Sequence, residues 1–350
     1  MTLKAPFVWF GGKRRVAAEV WTALGDVDNY VEPFAGSLAV LLGRPHDLLD
    51  GQRRAETVND ADGFLANFWR ALAHDPEAVA MWCDWPVNEV DLFARHLWLV
   101  NTGRSRLLEG MESDPDFYDA QIAGWWVWGV NAWIGSGWCS GEGPWIHGDD
   151  GIGKRPHLGA AGQGVKRSRP HLGNAGRGVN RQRPHLGDAG RAGYNNMEHR
   201  PNVLGYFEQL AGRLRDVRVC CGDWSRVVTN GALSFGSTVG VFLDPPYLGD
   251  VRTADLYAVD DHTISHEVRD WCLANGDNPR YRIVLAGYSD EHDELIPDTW
   301  KRYRYSASAA YSTTASAARQ DGNHANRKSE VLWMSPHCLT PDQGTLWETL

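Results

Sequence analysis

Hydrophobic positions along this 350-residue chain follow two periods, and the changes between them mark out elements. Short apolar runs bounded by Gly, Pro, Asp or Asn read as strands at Tyr30–Val31, Thr57–Asp60, Val217–Cys220, Val239–Leu243 and Arg282–Ala286. Two further runs, Tyr303–Tyr305 and Glu330–Met334, read as terminal strands that a hairpin would pair. Helical spacing sets in after Lys13 (Val16, Val20, Trp21, Leu24), over Gly63–Leu72, over Val90–Asn101 and Phe117–Trp133, after an Asn202 N-cap (Leu204, Phe207, Leu210, Leu214), and over Ser265–Trp271. The apolar stretch after Ser37 is also expected to be helical. Strands alternating with helices predict an α/β protein with a largely buried sheet.

Composition adds bounds. A hydrophobic content of 43 % with 23 % charged residues supports a sizeable core. No apolar run approaches the ~18 residues of a membrane span, and no leader-like segment precedes the first motif. The six cysteines are scattered without a C-x-x-C pair, which speaks against a zinc site or disulfide framework and fits a reducing cytoplasm.

Charge changes the picture more. The net charge is −9, yet residues 154–200 hold ten Lys and Arg against two acids, Asp188 and Glu198. A basic segment on an acidic body is the asymmetry of a local phosphate-binding surface. The same segment contains a 14-residue repeat beginning at Arg155, Arg169 and Arg183, with Pro second and glycines at positions five and eight. That composition favours turns over helices. Arg155, Arg169, Arg177 and Arg183 are the candidate DNA contacts; a surface loop and a subunit contact are the other readings. His157, His171 and His185 lack cysteine or acid partners at ligand spacing, so no metal is expected.

Chemistry concentrates at Val239–Asp250, VGVFLDPPYLGD. A buried strand ends in an aspartate followed by two prolines, which fix the backbone and remove competing N–H groups. Asp244, Pro245, Pro246 and Tyr247 thus arrive at the carboxyl end of a strand, where open α/β sheets bind ligands. Asp244 and the Pro245 carbonyl can each accept one N–H of an exocyclic amine, and Tyr247 can stack on the attached ring. Asp-Pro-Pro-Tyr after a hydrophobic strand resembles motif IV of the amino-methyltransferases of DNA bases.

Two earlier stretches extend the resemblance. PFVWFGGK (6–13) resembles the amino-terminal motif of the Dam-type DNA N6-adenine methyltransferases, which implies that Trp9, Gly12 and Lys13 contact the methyl donor. YVEPFAGS (30–37) resembles their motif I, which places Glu32, Pro33, Phe34 and Gly36 at the donor. A glycine turn between strand and helix offers backbone N–H groups to a carboxylate. Asp60, at the end of the second strand, is the candidate for the donor's ribose diol, with Asp62 as the alternative and a helix N-cap as the other role for either. Asp223 resembles the acid of motif III, at the adenine end of the cofactor. VNAWIGSGW (130–138) resembles the segment after the recognition helices, which makes Asn131 a further DNA candidate. Most tryptophans between residues 75 and 145 are expected in the core.

The resemblance implies a Rossmann-like class I methyltransferase sheet, a helical recognition region and a Gly/Arg-rich repeat insertion. Residues 1–70 and 200–350 would form the S-adenosylmethionine-binding catalytic domain, and 71–199, with the repeats at 155–194, the target recognition region. It further implies a cytoplasmic bacterial or phage enzyme that acts on double-stranded DNA, takes S-adenosylmethionine, flips its adenine and has a restriction endonuclease as candidate partner. The alternatives are a cytosine-N4 methyltransferase, an RNA adenine methyltransferase and a non-catalytic DNA-binding protein of the same fold.

Overall fold

Seven strands form one sheet in the order β3-β2-β1-β4-β5-β7-β6. They are β1 (Asn29–Glu32), β2 (Ala55–Asp60), β3 (Val217–Cys221), β4 (Val239–Leu243), β5 (Tyr281–Tyr288), β6 (Lys301–Tyr305) and β7 (Glu330–Met334). The computed structural model describes residues 3–7, 9, 11–45, 54–133, 138–139, 202–246, 261–305 and 330–340. Strands β1 to β5 run parallel, and β7 lies antiparallel between β5 and β6, so the expected terminal hairpin pairs as read.

Strand periodicity divides the core in two. Along β4, Phe242 faces one hydrophobic cluster, while Val239, Val241 and Leu243 face the other. Along β5, Val284 and Ala286 take the first side, and Ile283 and Leu285 the second. Side chains alternate across a strand, so both faces of a central strand must be apolar when both are covered. The first face is covered by α1 (Ala17–Leu24), α2 (Gly63–His74) and α7 (Val203–Leu214). The second is covered by α8 (Asp261–Asn275) and a 3-10 turn over Trp224–Val227.

Local signals explain most helix starts. Asp62 accepts hydrogen bonds from the Phe64 and Leu65 amides and opens α2; Asn202 accepts from the Gly205 amide and opens α7. The chain after Lys13 first makes a 3-10 turn (Lys13–Val16) and only then α1. The stretch after Ser37 differs from expectation. It holds one short 3-10 turn, Leu41–Gly43, and no α-helix. Leu38 takes φ +54, and the Val40 carbonyl accepts the Trp21 indole N–H at 2.7 Å. Leu38, Val40, Leu41 and Leu42 are all buried, so tertiary packing overrides their helical spacing.

Four more helices, α3 (Pro76–Cys83), α4 (Glu89–Trp98), α5 (Arg104–Ser113) and α6 (Ala120–Ala132), pack beyond α2. Trp126 and Trp128 are buried, as expected of core rings, whereas Trp85 is 43 % exposed. The guanidinium of Arg95 lies 4.3 Å from the Trp128 ring centroid and 5.3 Å from those of Trp85 and Trp125, a cation–π contact at each. A last short helix, α9 (Ser289–His292), follows β5. Among the described residues, no helix is long and apolar enough to cross a membrane.

Candidate active site

The carboxyl ends of β1, β2, β3 and β4 adjoin, because these four strands are neighbours and parallel. Alternation then decides which side chains meet. Phe242 points to the α1 face, so Asp244, two residues on, emerges on that face too. The same count from Tyr30 brings Glu32 there, from Val58 brings Asp60, and from Leu332 brings Glu330. Four carboxylates from four strands are thus delivered to one side of the sheet.

Lys13 enters from the 3-10 turn on that side. Its ammonium lies 2.9 Å from Asp244 Oδ1, donates to the Gly11 carbonyl at 2.8 Å, and lies 4.0 Å from Glu330 Oε2. The Lys13 side chain is 4 % exposed. Gly11 holds φ +73, a conformation open to glycine, and this turns its carbonyl toward the ammonium. Lys13, expected at the methyl donor, is directed at Asp244. Pro245 is buried and Pro246 half-buried behind it. Tyr247 lies outside the described residues.

Glu32 is buried and turned inward. It accepts the Tyr30 hydroxyl at 2.9 Å. Burial pushes its carboxyl up to about 8, against the hydrogen bonds from Tyr30 and the Leu41 amide, and the carboxylates of Asp244 and Asp60 push it further the same way.

The loop after β1 is stitched to β2 and β3. The Gly36 amide donates to Asp60 Oδ2 at 2.9 Å, and the Gly36 carbonyl accepts the Trp69 indole N–H at 3.0 Å. Gly36 holds φ +47, and a Cβ there would come within 2.7 Å of Trp9 Nε1. Only glycine lets the Trp9 ring sit on this turn. The Asn59 amide nitrogen donates to the Pro33 carbonyl at 3.0 Å and to the Gly222 carbonyl at 2.9 Å, while its Oδ1 is buried without a hydrogen-bond partner.

Asp60 closes β2, and its Oδ1 accepts the Asp62 amide at 3.0 Å. Asp62 itself spends its Oδ1 capping α2, accepting from Phe64 at 2.8 Å. Of this pair, Asp62 takes the helix N-cap. At the end of β3, Asp223 is exposed and accepts the Ser225 amide at 2.9 Å. The rings of Phe34 and Trp224 stack beside it, 6.2 Å between centroids.

The structure thus brings Trp9, Gly12, Lys13, Glu32, Pro33, Phe34, Gly36, Asp60, Asp223, Asp244 and Pro245 to one edge region. Asn131 is elsewhere in character. It is buried, and its amide nitrogen donates to the Pro6 and Val127 carbonyls. Arg155, Arg169, Arg177 and Arg183 lie outside the described residues. Two residues at this edge had no motif to point to them. Glu330 was visible only as an acid opening an otherwise apolar strand, and Asn59 only as a polar residue inside one. An open cleft of about 470 Å³ lies between α3 and α7, lined by Glu77, Met81, Asp84 and Leu204 among others. It shares no residue with the strand-end region.

Residues 9–84 match the family described as D12 class N6 adenine-specific DNA methyltransferase. Over that segment the chain is similar to the D12 class methyltransferases. The match spans the Gly-Gly-Lys turn, the EPFAGS loop and Asp60, and ends before the strand that carries Asp244. The Dam-type resemblance read from the first two motifs is thereby met by an independent comparison. With the sheet order described above, the fold is Rossmann-like and of the methyltransferase kind. The D12 match supports DNA methyltransferase activity, in a family that normally uses S-adenosylmethionine. No curated protein matches the chain.

Proposed function

We propose that this chain is a site-specific DNA adenine-N6 methyltransferase acting on an adenine turned out of the duplex. The observation that carries the reading is the strand-end pair of Asp244 and the Pro245 carbonyl, set on the same sheet edge as the EPFAGS turn and Asp60. The chain's residues suit S-adenosylmethionine. Asn59 leaves a buried acceptor, Oδ1, without a partner in the floor between the β1 loop and β3, and Asp223 stays exposed beside the Phe34 and Trp224 rings. Trp9, Gly12, Pro33, Phe34, Gly36, Asp60 and Asp223 would hold the donor, which when bound supplies an electrophilic methyl group.

Asp244 and the Pro245 carbonyl accept the two N6 hydrogens and draw the amine toward tetrahedral geometry, which frees its lone pair. Pro246 keeps the segment rigid, and Tyr247 stacks on the base. A stacked adenine cannot enter such a pocket, so the base must leave the helix. Alignment supplies much of the acceleration. In this reading residues 1–70 and 200–350 form the catalytic domain and 71–199, with the basic repeats, recognise the double-stranded target.

Modification-sensitive sequencing of DNA from cells expressing the wild type and Asp244→Ala tests it. N6-methyladenine in a defined motif, lost in the variant, is the expected result. N4-methylcytosine instead, or a variant that keeps methylating, overturns the reading.

A further inference from the structure

We propose that Lys13 is a positioning residue for Asp244, holding its carboxylate oriented to accept the hydrogens of the target amine. The proposal rests on the reading above and departs from the donor contact that the motif resemblance implies. Three features carry it. Lys13 is buried, and its Nζ faces protein oxygens: the Gly11 carbonyl at 2.8 Å, Asp244 Oδ1 at 2.9 Å and Glu330 Oε2 at 4.0 Å. An ammonium has three hydrogens to donate and nothing to accept with, so this environment suits it. Gly11 at φ +73 builds one wall of that nest from the main chain, fixing where the ammonium sits.

The third feature is the company Asp244 keeps. Strand alternation sets it on the face that also receives Glu32, Asp60 and Glu330, a crowd of acids in a largely buried place. Like charges crowd together there, and the Lys13 ammonium is the cation set against them at Asp244. With Lys13 on Oδ1, the carboxylate is anchored at that oxygen. The ammonium thus acts on the reaction through Asp244.

The test uses the full chain, a duplex containing the motif found by sequencing, and four variants: Lys13→Met, Lys13→Arg, Asp244→Asn and the Lys13→Met/Asp244→Asn double variant. Binding of S-adenosylmethionine is followed by calorimetry and methyl transfer by single-turnover rate. Lys13→Met is expected to slow transfer roughly 100-fold, the cost of a misplaced reacting group, while donor affinity keeps its wild-type value. Lys13→Arg, which restores a cation, recovers part of the rate. The double variant is expected to be no slower than Asp244→Asn, because residues that act as a unit are not additive. Donor affinity that falls in step with the rate would overturn the proposal, as would a double variant that loses the full Lys13→Met factor again. If Lys13→Met fails to fold, Lys13→Arg and the double variant, which leave neither charge buried alone, carry the comparison. A wild type that methylates no DNA would be a different result, removing the function reading and this proposal with it.

Discussion

Lys13 and Asp244 meet at 2.9 Å, although one belongs to the first glycine turn and the other to the end of β4. Neither residue's neighbours in the chain predict the partner. The pair forms because β4 lies beside β1 in the sheet and because Asp244 has the same alternation as Phe242, which faces α1 and the turn before it. A single-residue slip of β4 would send Asp244 to the α8 face and leave Lys13 buried without it.

Glu32 makes stability depend on pH in an unusual direction for a carboxyl. Its folded value, about 8, lies above its ordinary 4.5, so the native state holds a proton that the unfolded chain releases between these values. Below pH 4.5 both states are protonated and there is no penalty; stability then falls as pH rises through 8. Glu32→Gln keeps the shape and removes the titration. Thermal unfolding of the wild type should lose melting temperature from pH 5 to pH 8, and the variant should lose less. Parallel curves for the two proteins would refute the role given to Glu32.

Glu56 of β2 ties α7 to the stretch after β1. Arg213 of α7 grips it with two hydrogen bonds, at 2.6 and 2.9 Å, and Arg44 donates to the same carboxylate at 2.9 Å while lying over the Trp21 ring. Removing the acid leaves the buried Arg44 guanidinium with only the more distant Asp26 carboxylate, 3.7 Å away, so Glu56→Ala should cost about 3–5 kcal/mol in urea unfolding. Because the group is buried, added salt should not rescue it. A loss below about 1 kcal/mol would place this pair with exposed ion pairs instead.

Gly36→Ala should be costly for two reasons. The residue sits at φ +47, and the added methyl would press on the Trp9 ring at 2.7 Å. Backbone strain and crowding together predict a loss of about 1–3 kcal/mol. Chemical denaturation followed by tryptophan fluorescence reads it, and an unchanged midpoint would show that the Trp9 seat is loose.

Asn59→Leu keeps volume but removes the bridge between the Pro33 and Gly222 carbonyls. Two main-chain acceptors lose their partner, at a cost of about 1–3 kcal/mol. Binding of S-adenosylmethionine should weaken as well, since the β1 loop and the β3 end would no longer be held in register. Calorimetry that finds full affinity in a folded variant would separate Asn59 from the donor region.

Much of this could be read along the chain. The strands at residues 30, 57, 217, 239, 282 and 330 emerge from apolar runs with firm stops, and two prolines after Asp244 leave it no place but a strand end. Asp62, Asn202 and the helices that follow them obey local capping chemistry. These signals lie within a few residues of what they specify, which is why sequence carries them.

Other features needed the fold. The LAVLL stretch has helical spacing yet wraps into the core without an α-helix, because burial of its side chains outweighs propensity. Asn131 sits in a motif-like segment but spends its amide on Pro6 and Val127. Glu330 carries no motif at all and reaches the site only through the β5–β7 pairing. The sequence by itself determined the elements, the acids at strand ends and the rigid Asp-Pro-Pro segment, since each follows from local backbone preference and period. Tertiary structure alone decided which acids share a face and which of them Lys13 compensates, because strand order and register are contacts between residues far apart in the chain.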